Sequence, residues 1–294
     1  MRKKGSQTAE VVALFRALET LEPPRDRLFA DPYAEHFLRP AARVLLWLAR
    51  LPPARRRIRG VIDRKWPGAR TSGVARTRLV DDCLRQALTD GTRQILILGA
   101  GFDARAFRLP GIAAARVFEV DHPLTQAEKR RLVGRLAAGP SAVTYVPVDF
   151  NRQTLDAELR RSDYDACART FVLWEGVTNY LTDAAVDVTL RSIAALVPRS
   201  SGLLFTYVHR GLLDGSVPFD GGAGILERVR NAGEPWTCGF DPRDMPAYLA
   251  ARGFTLDEDL SADDYRARYF GDAARSMTGY SFYRAVLARR TQSG

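Results

Sequence analysis

ILILGAGFDARAFRL, residues 95–109, decides how the rest of the sequence is read. An apolar run stops at Gly99, Gly101 follows after Ala100, and the small Ala104 lies three residues further on. A buried strand passes in this way through a tight turn into a helix, with its backbone open to close approach by a ligand. A nicotinamide dinucleotide and S-adenosylmethionine both suit such a turn, so neighbouring segments must separate them.

Upstream of Ile95 no strand is expected. Helical periodicity runs through residues 7–21, 32–38, 41–51, 55–66 and 74–88, punctuated by Pro23-Pro24, Pro40, Pro52-Pro53 and Pro67. From Gln94 the rhythm changes. The runs QILILG, RVFEVD, AVTYVPVD, TFVLWEG and GLLFTYVH alternate with helical stretches at 123–136, 155–161 and 184–196. After a helix at 246–252, FTLDEDL and GYSFYRAVLARR read as two more strands, the last approached without a helix and suited to an antiparallel place. Strands alternating with helices predict an α/β fold. The expected form is a doubly wound, mostly parallel, seven-stranded sheet of Rossmann-like type with an N-terminal helical cap. Residues 1–92 are the cap and 93–294 the core, in one structural domain overall. Residues 211–239, rich in glycine and proline, are expected to be a working loop that meets substrate.

The chain has 294 residues, 46% of them hydrophobic, and a net charge of +10 carried almost wholly by arginine, since only Lys3, Lys4, Lys65 and Lys129 are lysines. Guanidinium groups suit anionic partners. Nucleic acid is set aside: the fourth strand runs into WEGVTNY rather than the Asn/Asp-Pro-Pro-aromatic tetrad of base-modifying enzymes, and no catalytic cysteine pair is present. Cys83, Cys167 and Cys238 lack metal-ligand spacing, so no metal is expected and a reduced, cytoplasmic setting is. Glu10, Arg16 and Glu19 interrupt the N-terminal stretch, which does not read as a signal peptide. AARVLLWLARL is about half the length needed to span a bilayer, and no membrane partner is expected.

Ligands of doubly wound sheets lie beyond the carboxyl ends of the strands. The first strand delivers Gly99, Ala100, Gly101 and then Asp103; the second Glu119 and Asp121; the third Asp149 and Phe150; the fourth Trp174, Glu175 and Gly176. A pyrophosphate beside the glycine turn needs donors, and Asp103 there would repel it. A sulfonium and an ammonium are cations that carboxylates stabilise. Asp121 suits ribose hydroxyls and Asp149 an adenine amino group. S-adenosyl-L-methionine, leaving as S-adenosyl-L-homocysteine, is therefore the expected cofactor. Taken singly, Asp121 and Asp149 also suit helix caps.

With these residues placed, the chain resembles the leucine carboxyl methyltransferase family of class I methyltransferases, its bacterial branch most closely. The resemblance rests on FADPYAEHF (29–37), ARTRLVDD (75–82), LGAGFDARAFRL, FEVDHP (118–123), VPVDF (146–150) and WEGVTNYL (174–181). It implies that Arg76 pairs with the cofactor carboxylate with help from Arg16, and that Gly99 and Gly101 form the turn. It further implies that Asp121 takes the ribose, Asp149 and Phe150 frame the adenine, Glu175 meets the methionine end and Tyr180 lies near the reacting methyl. The likeness fades from Arg210 onward.

An ionised carboxylate acceptor needs no general base, only orientation, for which Arg55, Arg56, Arg57 and Arg59 are candidates. A phenol needs a base, and His209 is the candidate. The expected activity is O-methylation of a small, acidic, aromatic or polyketide-like metabolite of secondary metabolism. A phenolic acceptor is the alternative, and a scaffold of this fold without turnover is the alternative of another class.

Overall fold

The structure, a computed structural model, describes residues 7–134, 143–149 and 153–291. The strand before the glycine turn, β1 (Gln94–Leu98), is buried along its whole length. Side chains alternate across a strand, so Ile95 and Ile97 enter one hydrophobic cluster, Leu96 and Leu98 the opposite one. Four further runs form β2 (Arg116–Asp121), β3 (Val143–Pro147), β4 (Thr170–Trp174) and β5 (Gly202–Val208), and two more form β6 (Phe254–Ser261) and β7 (Tyr283–Arg290). Their spatial order is β3-β2-β1-β4-β5-β7-β6. The first five are parallel, and β7 runs antiparallel between β5 and β6. Strand order reverses beside β1, which puts the crevice for a ligand at the glycine turn.

Upstream lie α1 (Gln7–Thr20), α2 (Pro40–Ala49), α3 (Pro52–Lys65) and α4 (Ala69–Thr89). Pro40 and Pro52 stand in the first turns of α2 and α3, where no amide bond is lost. They start these helices rather than interrupt them. Residues 32–38 form only a 3-10 turn, Ala34–Phe37. Phe15 and Leu18 of α1 and Val80 and Leu84 of α4 share one cluster with Ile95, Val117 and Phe171, so these helices pack directly on the sheet. The short α5 (Arg105–Arg108) follows the glycine turn, and α6 (Pro123–Val133) follows β2. The other face carries α7 (Leu155–Arg160), α8 (Asp183–Leu196) and α11 (Met245–Ala250), through Leu159, Leu190 and Leu249.

Two expectations fail. Residues 211–239 contain α9 (Arg210–Asp214) and α10 (Gly222–Asn231), not a bare loop. Glycines at 221, 222 and 224 hide the helix from propensity, but Ile225 and Val229 bury one of its faces. The approach to β7 is not helix-poor either, because α12 (Ala262–Phe270) precedes it. A reciprocal cap between Ser261 and Asp264 starts that helix, and Tyr265 anchors it.

Candidate active site: a glycine turn above alternating arginines and carboxylates

Gly99 and Gly101 adopt φ of +65° and +41°. A Cβ on Gly99 would lie 2.4 Å from Cγ2 of Val177, so side-chain size and backbone angle both demand glycine there. Asp121, at the end of β2, ties this turn down: Oδ2 accepts from the Gly101 amide and Oδ1 from the His122 amide, each at 2.6 Å. Burial pushes its carboxyl above the ordinary value, against the pull of the two amides. Glu119 does not reach the strand end. It is buried inside β2 against Lys129 Nζ at 2.7 Å, and burial raises it to about 7 despite that lysine. After β3, the half-buried Asp149 donates its amide to Gln153 Oε1 at 2.9 Å, while Phe150 lies outside the described residues.

Below the turn, arginines and carboxylates alternate. Arg76 of α4 donates through Nε to Glu175 at 2.7 Å, and its guanidinium lies 4.7 Å from the ring centre of Tyr283. Arg105 of α5 reaches Glu175 at 2.9 Å, Asp81 at 2.8 Å, and Asp103. Arg108 also holds Asp81, at 2.7 Å, and approaches Asp31 at 3.4 Å. Arg16 of α1 closes the series, with Asp31 at 2.7 Å and the Phe102 carbonyl at 2.6 Å. All four guanidinium groups are buried. Burial by itself would raise Glu175, but Arg105 and Arg76 outweigh it and hold the carboxyl below its usual range. Asp103 is likewise held at about 2, by Arg105 against burial.

That pairing corrects the reading of Asp103. Its charge is answered by the side chain and amide of Arg105, so it is not the bare anion that was to repel a pyrophosphate. Arg105, Asp81, Arg108 and Asp31 were missed as site residues. They stand inside the quoted motifs, Arg105 and Arg108 one helical turn apart, yet nothing in the sequence shows that Asp81 bridges them.

Beyond Tyr283 the cluster meets aromatic rings. Trp236 lies 6.1 Å from Tyr283, 6.2 Å from Phe282 and 6.5 Å, edge-on, from Tyr180. Burial raises the Tyr180 hydroxyl. Beside it Asn179 is 1% exposed, and neither polar atom of its side chain has a hydrogen-bond partner among the described residues.

His209 stands at the edge of this group: its ring lies 5.2 Å from that of Phe219, itself 5.7 Å from that of Phe282. Its Nδ1 accepts from the Gly211 amide at 3.0 Å and caps α9, so the neutral ring keeps its proton on Nε2. Burial lowers its pKa and favours that neutral form. Its ring lines a separate cavity with Asp214, Ser216, Asp241 and Arg243. A ring held this way offers a donor and no free base, which removes the reason for assigning it proton abstraction. Arg55 and Arg59 are likewise committed, to Glu22.

The sequence model of the leucine carboxyl methyltransferase family matches residues 9–194, which hold the glycine turn and the arginine–carboxylate series but not Trp236, Phe282 or Tyr283. The chain belongs to the leucine carboxyl methyltransferase family. Two similar proteins carry the name "Putative S-adenosyl-L-methionine-dependent methyltransferase". One, from Mycolicibacterium gilvum, is 36% identical over 263 residues, covering 85% of this chain and 78% of its own. Another, from Streptomyces coelicolor, is 38% identical over 209 residues, covering 67% and 64%. Among solved structures, a duf574 family protein from Streptomyces avermitilis shares the fold, with a TM-score of 0.61 over 94% of this chain and 96% of its own at 16% identity. Fold and family together make this leucine carboxyl methyltransferase homologue an S-adenosyl-L-methionine-dependent methyltransferase.

Proposed function

We propose that the chain is an O-methyltransferase acting on the carboxylate of a small aromatic or polyketide-like metabolite. The observation that carries this reading is the continuity of the buried guanidinium cluster with the aromatic wall, through Arg76 on Tyr283 and Tyr283 on Trp236. Such a junction suits a flat ring that bears an acid.

The residues present fit the cofactor. Asp121 is anchored at the glycine turn by two amides and keeps lone pairs for ribose hydroxyls. Asp149, with Phe150, is assigned to the adenine, and Gly99, Ala100 and Gly101 to close backbone approach. Arg76 and Glu175 offer one cation and one anion to the zwitterionic methionine end. They answer each other here, at 2.7 Å, and Arg105 and the Tyr283 ring remain to compensate both charges when that pair opens. Arg16 supports the turn through Phe102, and Asp103 sets the position of Arg105. When bound, S-adenosyl-L-methionine supplies an electrophilic methyl group on a sulfonium.

A carboxylate acceptor is ionised near neutral pH, so the protein has to orient it and exclude water. The capped His209 agrees with chemistry that needs no base. Tyr180 stands at the reacting end, and Asn179 supplies a donor to the acceptor. Helices α1–α4 are taken as the cap, with α1 and α4 also packed on the sheet, and residues 211–239 contribute the acceptor wall through Trp236.

The test is turnover with matched pairs of aromatic acids and phenols, after S-adenosyl-L-homocysteine is shown to raise the melting temperature. An alkali-labile methyl ester on the acid is expected. An alkali-stable ether on the phenol would replace this reading, and cofactor binding without any turnover would favour a scaffold. Asn179→Ala should raise KM for the acceptor with little change in melting temperature, whereas a purely structural role would lower stability and leave KM alone.

A further inference from the structure

We infer that the hairpin of α2 and α3 is a docking surface for the face of an anionic phospholipid bilayer. Helix α2 is apolar on two sides. Leu46 and Ala49 are buried in the protein, yet Val44, Trp47 and Leu48 are 61%, 64% and 41% exposed, and Leu51 at the start of α3 is 63% exposed. Positions 44, 47, 48 and 51 follow the spacing of a single helix face. With Val61, on the outer side of α3, these make five of the nine large hydrophobic residues exposed among the described residues. A ridge of this kind needs a cover.

Charge says which cover. Residues 39–67 hold nine cations and one acid, a net +8 out of +10 for the whole chain. Arg39 pairs with Glu10, Arg50 with Glu35, and Arg55 and Arg59 with Glu22, while Asp63 is taken by Arg70. Arg43, Arg56, Arg57, Arg64 and Lys65 are exposed, and no carboxylate among the described residues forms an ion pair with them. A second copy in a two-fold contact would bring two such cationic segments together without acids to answer them. Nucleic acid answers the charge but leaves the ridge in water. An anionic lipid surface answers both: the ridge enters the headgroup boundary and the cations meet lipid phosphates.

The ten residues of α2 are about 15 Å long, and among the described residues no helix is long and apolar enough to cross a membrane. The contact is therefore in-plane. It departs from the expectation that no membrane is a partner, and it does not depend on the acceptor proposed above.

The full chain is mixed with vesicles of phosphatidylcholine alone or with phosphatidylglycerol, and binding is read by flotation and tryptophan emission. Trp47 is the exposed tryptophan, since Trp174 is buried and Trp66 and Trp236 are half-buried. Binding to the anionic vesicles is expected to be roughly tenfold or more tighter, to weaken as salt rises, and to shift emission to the blue. Trp47→Ala should remove the shift. Trp47→Asp with Leu51→Asp should abolish flotation while the melting temperature and the response to S-adenosyl-L-homocysteine stay unchanged. No flotation at low salt overturns the inference, as does flotation that the double aspartate variant retains in full. Self-association lost in that variant, without vesicle binding, would assign the surface to a second copy. Polyglutamate binding that matches the vesicles, without a spectral shift, would assign it to an acidic protein.

Discussion

The arginines beneath the glycine turn and those on the α2–α3 hairpin put the same charge to opposite use. At the turn, Arg16, Arg76, Arg105 and Arg108 are buried, and each meets at least one of Asp31, Asp81, Asp103 and Glu175. On the hairpin, Arg43, Arg56, Arg57, Arg64 and Lys65 face water, and no carboxylate among the described residues forms an ion pair with them. The net +10 therefore says little about the site, which is balanced, and much about one surface. Buried charge must be matched locally because desolvation is costly, whereas exposed charge is screened and is free to set a field.

The contrast breaks most visibly at Asp81, which is wholly buried and holds both Arg105 and Arg108. Asp81→Ala should cost roughly 3–5 kcal/mol, because two buried guanidinium groups lose a shared partner. A urea titration that finds less than about 1 kcal/mol would show that the alternating series is not acting as one buried unit. Acid should act on the same side of the comparison. Asp103 is held at about 2, below the ordinary aspartate value of 3.8, so its contribution to stability is complete above that ordinary value and is lost as pH falls toward 2. A change of about 2 kcal/mol is expected from this group. Asp103→Asn should flatten that part of the pH profile, and an unchanged profile would refute the assignment.

Smaller effects are expected at Asp121 and on the hairpin. Asp121→Asn should weaken S-adenosyl-L-homocysteine binding roughly tenfold, about 1.4 kcal/mol by calorimetry. Unaltered affinity would remove Asp121 from the proposed site. On the hairpin, Arg56→Glu with Arg57→Glu should change folding stability by no more than about 0.5 kcal/mol per residue, yet lower binding to anionic vesicles. A large loss of stability there would mean that these side chains carry structural contacts after all.

Much of the frame is legible along the chain. Gly99 and Gly101 mark the turn, period-two burial sorts Ile95 and Ile97 from Leu96 and Leu98, and Asp121 and Glu175 stand at the carboxyl ends of β2 and β4. Of the three missed helices, α10 and α12 failed for local reasons. The glycines of α10 and the polar residues of α12 argue against helix, and burial of Val229 and Tyr265 against other elements overrides them. His209 follows a strand as a catalytic base would, but only the folded chain shows its Nδ1 engaged by Gly211.

Glycine at positive φ, proline in a first helical turn and apolar alternation are constraints on each residue's own backbone or on its near neighbours. The strand–turn–helix order, the doubly wound sheet and the acids at its edge are therefore written along the chain. The partners of those acids lie far along the chain: Arg76 and Glu175 are 99 positions apart, and Arg105 and Asp81 are 24 apart. Which arginine is neutralised in the interior, and which is left facing solvent beside Trp47, depends on how distant segments pack. That outcome belongs to the folded state, because desolvation and pairing act through space and not along the chain.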